Sequence, residues 1–146
     1  MPKRSVSATR TVQAPPERIF ELLADPSKHP LIDGSGAVRA PLPGAPAKLA
    51  LGTAFGMDMK IGLAYRIENT VVEFEENRLI AWRHFNGHRW RWQLTPVGDG
   101  ATEVTETFDW STARTPVLIG LSPIPRRNRA SMERSLERLS ALLATT

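Results

Sequence analysis

Glu106 is the residue whose position most needs a chemical account. It falls between Val104, Phe108 and Trp110 in a stretch of alternating polarity, so it shares their apolar face, while Thr105, Thr107 and Asp109 share the other. A carboxylate on an apolar face must be paired, hydrogen-bonded or neutral. As a functional group it is a polar anchor for a ligand, or a general acid whose pKa burial has raised. As a structural group it is satisfied by the indole N–H of Trp92 or Trp82, by Tyr65 or by His84, or it lies near the open end of a sheet. His84 is a general base if a partner and a substrate proton come within reach. Tyr65 is a donor to a ligand carbonyl. Each also fits a hydrogen-bonded core residue, so the catalytic residues stay unknown, with Glu106, His84 and Tyr65 as weak candidates.

Other chemistries are excluded by residue type. The chain of 146 residues has no cysteine, which removes disulfides, thiolate metal sites, iron–sulfur clusters and cysteine nucleophiles. His29, His84 and His88 lack metal-ligand spacing, and His29 and His88 fall in or near loops, where they carry no signal. Neither a metal nor a cofactor is expected. No glycine-rich phosphate loop is present, and Gly34-Ser35-Gly36 lacks the five-residue frame of a nucleophile elbow.

The formal net charge is +4 and is unevenly spread: residues 51–110 carry six basic and nine acidic side chains, residues 111–146 six and two. The dense basic cluster is Arg126, Arg127 and Arg129, just before or in the first turn of a helix, where the dipole disfavours cations. It is a solvated loop, or a contact for an anionic ligand head or a membrane surface. No nucleic-acid fold signature accompanies it. The longest apolar run, Val117 to Leu121, is far short of the ~20 residues of a membrane span, so no integral membrane association is expected. The opening MPKRSVSATR is basic without an apolar h-region, and a cytoplasmic protein follows as the expectation. With 41% hydrophobic and 23% charged residues, the chain is an ordinary globular one of a single domain over 1–146.

The elements that must position these residues read clearly. Residues 5–13 alternate, with Val6, Ala8, Arg10 and Val12 on one face. Pro15-Pro16-Glu17 opens a helix whose stripe Ile19, Phe20, Leu22, Leu23 runs to about Ala24, and a second short helix covers about Ser27 to Leu31. Residues 37–49, with three prolines, are a strand end and a loop. Gly52 opens a strand in which Phe55, Met57, Met59 and Ile61 alternate with small or polar residues. Strands at Tyr65–Phe74, Arg78–Phe85, His88–Val97 and Thr102–Trp110 follow through connections short enough for hairpins, which makes an antiparallel meander. Pro116 to Pro125 is apolar and proline-bounded, a short helix or a loop over the sheet. Met132, Leu136, Leu139 and Leu143 then mark a long amphipathic helix. The expected fold is α+β: a curved antiparallel sheet of about seven strands wrapped around a long C-terminal helix, with two short helices after the first strand.

This order resembles the SRPBCC superfamily (START-like or Bet v 1-like, the helix-grip fold), and within it the polyketide cyclase/dehydrase-like branch. The resemblance covers nearly the whole chain. It rests on Val12-Gln13-Ala14-Pro15-Pro16-Glu17-Arg18-Ile19-Phe20-Glu21-Leu22-Leu23-Ala24-Asp25, on Gly52-Thr53-Ala54-Phe55, on Val71-Val72-Glu73-Phe74-Glu75-Glu76-Asn77-Arg78, and on Gly100-Ala101-Thr102-Glu103-Val104-Thr105-Glu106. The superfamily includes lipid carriers, hormone and alkaloid binders, cyclases, quinone-binding proteins and chaperone cofactors, and has no universal catalytic motif to carry over.

A sheet gripping one helix leaves room for an apolar ligand. Its lining depends on strand parity. At Asn86-Gly87, a type I′ turn pairs Phe85 with His88 and puts Arg83 inside; a three-residue loop with a G1 bulge pairs His84 with His88 and puts Ile80, Trp82 and His84 inside. The bulge is preferred because it buries a tryptophan rather than an arginine. The expected ligand-binding wall is then Phe55, Met57, Met59, Tyr65, Ile67, Trp82, His84, Trp90, Trp92, Glu106, Phe108 and Trp110, with Met132 and Leu136 from the helix. The same aromatics also suit a plain core. The first function expected is a carrier or sensor of a small hydrophobic, ring-containing or acyl molecule. A polyketide cyclase or dehydratase using the same cavity is the alternative, and an interaction module with a filled core the third. A monomer and a homodimer both stay open.

Overall fold

The structure is a computed structural model that describes residues 3–144, apart from Ala45, Gly62, Phe85 and the side chain of Ile61. Strand β1 (Ser5–Val12) leads through helix α1 (Pro16–Leu23), a 3-10 turn (Pro26–Lys28) and α2 (His29–Ile32) to β2 (Val38–Pro41). Then come β3 (Ala54–Ile61), β4 (Leu63–Glu75), β5 (Leu79–Arg83), β6 (Arg89–Val97), β7 (Ala101–Asp109), α3 (Pro116–Leu121) and α4 (Ile124–Ala144). The seven strands form one antiparallel sheet in the order β1-β7-β6-β5-β4-β3-β2. This is the helix-grip α+β architecture, and the apolar stretch before α4 is a short helix rather than a loop.

Each element follows from its residues. In α1, Pro16 sits where a missing N–H costs nothing, and Ile19, Phe20 and Leu23 are buried at helical spacing. Phe20 meets Phe74 edge-on, with ring centroids 5.5 Å apart. In α4, Met132, Leu136, Leu139 and Leu143 bury one stripe, and the helix lies on β1 and β7. Burial of side chains this size is worth about 1.5–3 kcal/mol each, which holds the helix in the grip of the sheet. A register shift between Val71 and Glu73 lets both Val71 and Phe74 face inward while Glu73 faces out. Outside, Glu73 accepts from Arg89 at 2.9 Å and from Arg91 at 2.8 Å, and Arg91 also reaches Asp109 at 3.2 Å.

The β5–β6 connection adopts the bulged form. His84 N–H donates to His88 O at 3.0 Å, Gly87 N–H donates to His84 O at 2.9 Å, and Gly87 has φ +90. The register that follows pairs Trp82 with Trp90 and Ile80 with Trp92, and Arg83 is exposed. Phe85, on which the alternative turn depended, lies outside the described residues. Next along, Trp92 pairs with Glu106, and Glu106 with Ala8.

Candidate functional site

A cavity of about 740 Å³ separates the inner face of the sheet from the first half of α4. This is within the range of small-molecule sites. Phe55, Met57, Met59, Tyr65 and Ile67 line it from β3 and β4, and Trp82, His84, Trp90, Trp92, Glu106 and Phe108 from β5 to β7 with the β5–β6 connection; Met132 lines it from α4. Two expected members of the wall do not reach it. Trp110 is buried at the base of α3, where a Cβ on Gly120 would stand 3.4 Å from its Nε1. Leu136, one turn beyond Met132, is buried in the core and does not line the cavity, although its neighbour Ser135 does. Tyr65 lines the cavity but is 40% exposed, which puts it at the opening rather than in the core.

Glu106 is 5% exposed, and its Oε1 is buried without a hydrogen-bond partner among the described residues. The donors expected of Trp92, Trp82, Tyr65 or His84 do not satisfy it. Burial, followed by the charge of Asp33, pushes its carboxyl well above the usual carboxylate range. His84 is the converse. Burial, followed by the neighbouring His88, pushes its imidazole down to about 3, and its Nε2 is buried with no hydrogen-bond partner among the described residues. A carboxyl pushed up and an imidazole pushed down thus face one cavity. Asn69, 3% exposed, adds a buried Oδ1 with no partner among the described residues.

Sequence reasoning passed over two histidines that belong here. His29 opens α2 and is buried; its Nε2–H donates to Leu23 O at 2.8 Å, and its ring stacks on Trp82 with centroids 5.0 Å apart. Burial lowers its pKa. His88 stacks on His84 at 4.7 Å and on Phe108 at 5.3 Å. His29 sits at no periodic position, so nothing local marked it; His88 keeps the period of Trp90, Trp92 and Leu94, and that alternation was a readable signal. Also missed was the polar part of the lining: Asp33 and Ser35 from the α2–β2 turn, and Arg127, Asn128, Ser131, Arg134 and Ser135 from α4. Asn128, Ser131 and Ser135 fall at steps of three and four beside the Met132 stripe, and that spacing was a readable signal.

The arrangement offers an aromatic wall, a polar lining, and buried polar atoms of Glu106, His84 and Asn69 that have no hydrogen-bond partner among the described residues. Comparison with known proteins places this geometry. The model of a family described as polyketide cyclase/dehydrase and lipid transport matches residues 3–144. An uncharacterised protein of Mycobacterium tuberculosis strain H37Rv, Rv0088, is 40% identical over 141 residues, which is 92% of this chain and 62% of that protein. The chain therefore spans less than two thirds of the length of that curated relative. Among solved structures, protein CV1439 of Chromobacterium violaceum superposes with a TM-score of 0.71 at 19% identity, over 95% of this chain and 96% of that one. The Aha1 dimer of Colwellia psychrerythraea gives 0.67 at 14%, over 95% of each. At such identities the two structures share the fold.

Proposed function

The chain belongs to the polyketide cyclase/dehydrase and lipid transport family of the SRPBCC superfamily, and from that premise we propose that it holds a small, mostly apolar, ring-containing molecule between sheet and α4, as a carrier or sensor. The observation that carries the reading is Glu106. A neutral carboxyl facing an apolar cavity, with one oxygen unpartnered, is costly unless something completes it. A ligand carbonyl accepting its proton would do so. Trp82, His29 and Phe55 pack on one another, with ring centroids 5.0 to 5.8 Å apart, and give the cavity an aromatic wall for an apolar ring to lie against. A cavity of about 740 Å³ weighs against the filled-core interaction module.

Mass spectra under non-denaturing and denaturing conditions test this. The expected result is a discrete extra mass that disappears on denaturation, or, for apo protein, saturable quenching of tryptophan fluorescence by flat aromatic ketones. Glu106→Gln retains the shape and loses roughly tenfold in ketone affinity, one charge-free hydrogen bond donor differing from another in reach and strength. Apo protein that quenches with none of these probes overturns the reading.

One observation favours the enzymatic alternative: the acid Glu106 and the base His84 are pushed apart in pKa within one cavity, as in acid–base pairs. Cyclisation of a flexible chain then needs proton donation to a carbonyl by Glu106 and proton removal by His84. Turnover abolished in both Glu106→Gln and His84→Gln, with ligand binding intact, would select this alternative.

A further inference from the structure

We propose that the mouth of the cavity docks on the surface of an anionic phospholipid bilayer through α3 and the first turn of α4. The proposal deepens the carrier reading by naming where the ligand is exchanged. The observations begin at the rim. Tyr65 and Ile124 line the cavity and are each 40% exposed, so they stand at its opening. Outward from Ile124, Val117, Leu118 and Leu121 are 59%, 68% and 83% exposed, while Ile119 of the same helix is buried and lines the cavity. Outward from Tyr65, Leu63 is 82% exposed. Apolar surface thus continues from inside the cavity over its lip on both sides, where a soluble monomer rarely leaves large side chains together.

Charge selects the occupant. Residues 111–132 contain Arg114, Arg126, Arg127 and Arg129 and no acidic residue. Arg126 and Arg127 are exposed with no ion-pair partner among the described residues, and Arg129 reaches only Glu133, at 3.7 Å on a fully wetted face. Arginines at a helix start oppose the helix dipole, so they do not serve the helix. A short apolar helix followed by clustered arginines matches a layered surface, apolar below and anionic at headgroup level. A tyrosine on the opposite lip suits the same boundary. No described helix is long and apolar enough to cross a membrane, so the contact is peripheral. A ligand drawn from the bilayer would then enter the cavity without crossing water.

Co-sedimentation with vesicles tests this, using phosphatidylcholine alone and phosphatidylcholine with phosphatidylglycerol. The full chain is expected to pellet with the anionic vesicles, to be released by high salt and to ignore the neutral ones. Leu118→Asp with Leu121→Asp, and separately Arg126→Glu with Arg127→Glu, each lose roughly tenfold or more in vesicle affinity. Both leucines are exposed, so the thermal melt and the ligand occupancy of that variant stay as in the parent. Equal binding to neutral vesicles overturns the proposal, and so does no binding to either. A solution dimer that the leucine variant dissolves also overturns it, because a second copy then covers the face. Vesicle binding lost with ligand occupancy intact sinks the docking alone; vesicle binding retained by a protein that takes no ligand sinks the carrier reading alone.

Discussion

Helix α4 borders the cavity on two sides, and the two are held in opposite ways. On one side the Asp33-Gly34-Ser35 turn is bolted to the helix. Gly34 N–H donates to Ser135 Oγ at 2.8 Å, Arg134 Nε–H to Gly34 O at 2.8 Å and Arg138 Nη1–H to Asp33 O at 2.8 Å. Asp33 in turn accepts from Ser35 N–H and Val38 N–H at 3.1 Å each. On the other side, α3 meets α4 through the burial of Ile119 and one serine: Ser122 Oγ–H donates to Ile119 O at 2.7 Å, and Ile124 N–H donates to Ser122 Oγ at 3.2 Å. The segment leading into α3 is tied to the β5–β6 connection, where Asn86 Nδ2–H donates to Thr115 Oγ1 at 3.1 Å and Arg114 N–H to Asn86 O at 2.7 Å. The difference teaches where a cavity of this kind opens. A rim tied by hydrogen bonds to backbone moves only by breaking several at once. The α3 rim, with one serine bridge and exposed leucines, has fewer ties to break and is the side expected to open first.

The sharpest way to break this comparison is at Gly34. A Cβ there would stand 2.3 Å from Ser131 O and 2.5 Å from Ser135 N, both backbone atoms that cannot step aside. Gly34→Ala is expected to destabilise by about 3 kcal/mol or more in urea unfolding. Gly36→Ala, where a Cβ meets nothing but φ is +75, should cost about 1 kcal/mol from backbone strain. Equal costs would dissolve the notion of a bolted rim.

Next in size is the pH dependence. Glu106 has a folded pKa raised above the ordinary 4.5, so the folded chain holds its proton more tightly than the unfolded one. Its contribution is present at low pH and is lost as pH rises from about 4.5. His84, lowered from 6.5 to about 3, works the other way: its contribution is present above 6.5 and is lost as pH falls toward 3. Between about 4.5 and 6.5 the two slopes oppose. Urea unfolding across pH should therefore show Glu106→Gln with a stability that no longer falls on the alkaline side. The change amounts to at most about 1.4 kcal/mol per pH unit for one proton. An unchanged profile would mean that Glu106 is ionised and satisfied.

The smallest effects compare the two rims directly. Ser135→Ala removes the acceptor of Gly34 N–H and should cost about 1 kcal/mol. Leu121→Asp, on the open rim, should stay within about 0.5 kcal/mol of the parent in the same melt. A larger cost at Leu121 than at Ser135 would reverse the assignment of fixed and free sides.

The fold was legible because its signals are local. Period two in Phe55, Met57 and Met59 and steps of three and four in Met132, Leu136, Leu139 and Leu143 name the elements. Asn86-Gly87 marks its own turn, and the preference for burying Trp82 over Arg83 selects the register, since a one-residue slip reverses every side chain. The position of Glu106 on an apolar face was equally plain from Val104 and Phe108. The cavity was less so. Trp110 and Leu136 obey the same periodicity as Trp92 and Met132, yet they pack into solid core. His29 follows no period, yet it stacks on Trp82.

Sequence by itself determined the elements, their order, the inward faces and the presence of a carboxyl among them, because propensity and alternation act over a few neighbouring residues. Tertiary structure alone decided how far sheet and helix stand apart at each level. It thereby decided which apolar residues line a space and which fill one, that Glu106 faces that space with an Oε1 that has no partner among the described residues, and that the Gly34 turn closes one side while α3 leaves the other greasy and basic. Those outcomes depend on the separation of layers that meet across about a hundred residues of chain, as Gly34 and Ser135 do, and no short-range pattern encodes that distance.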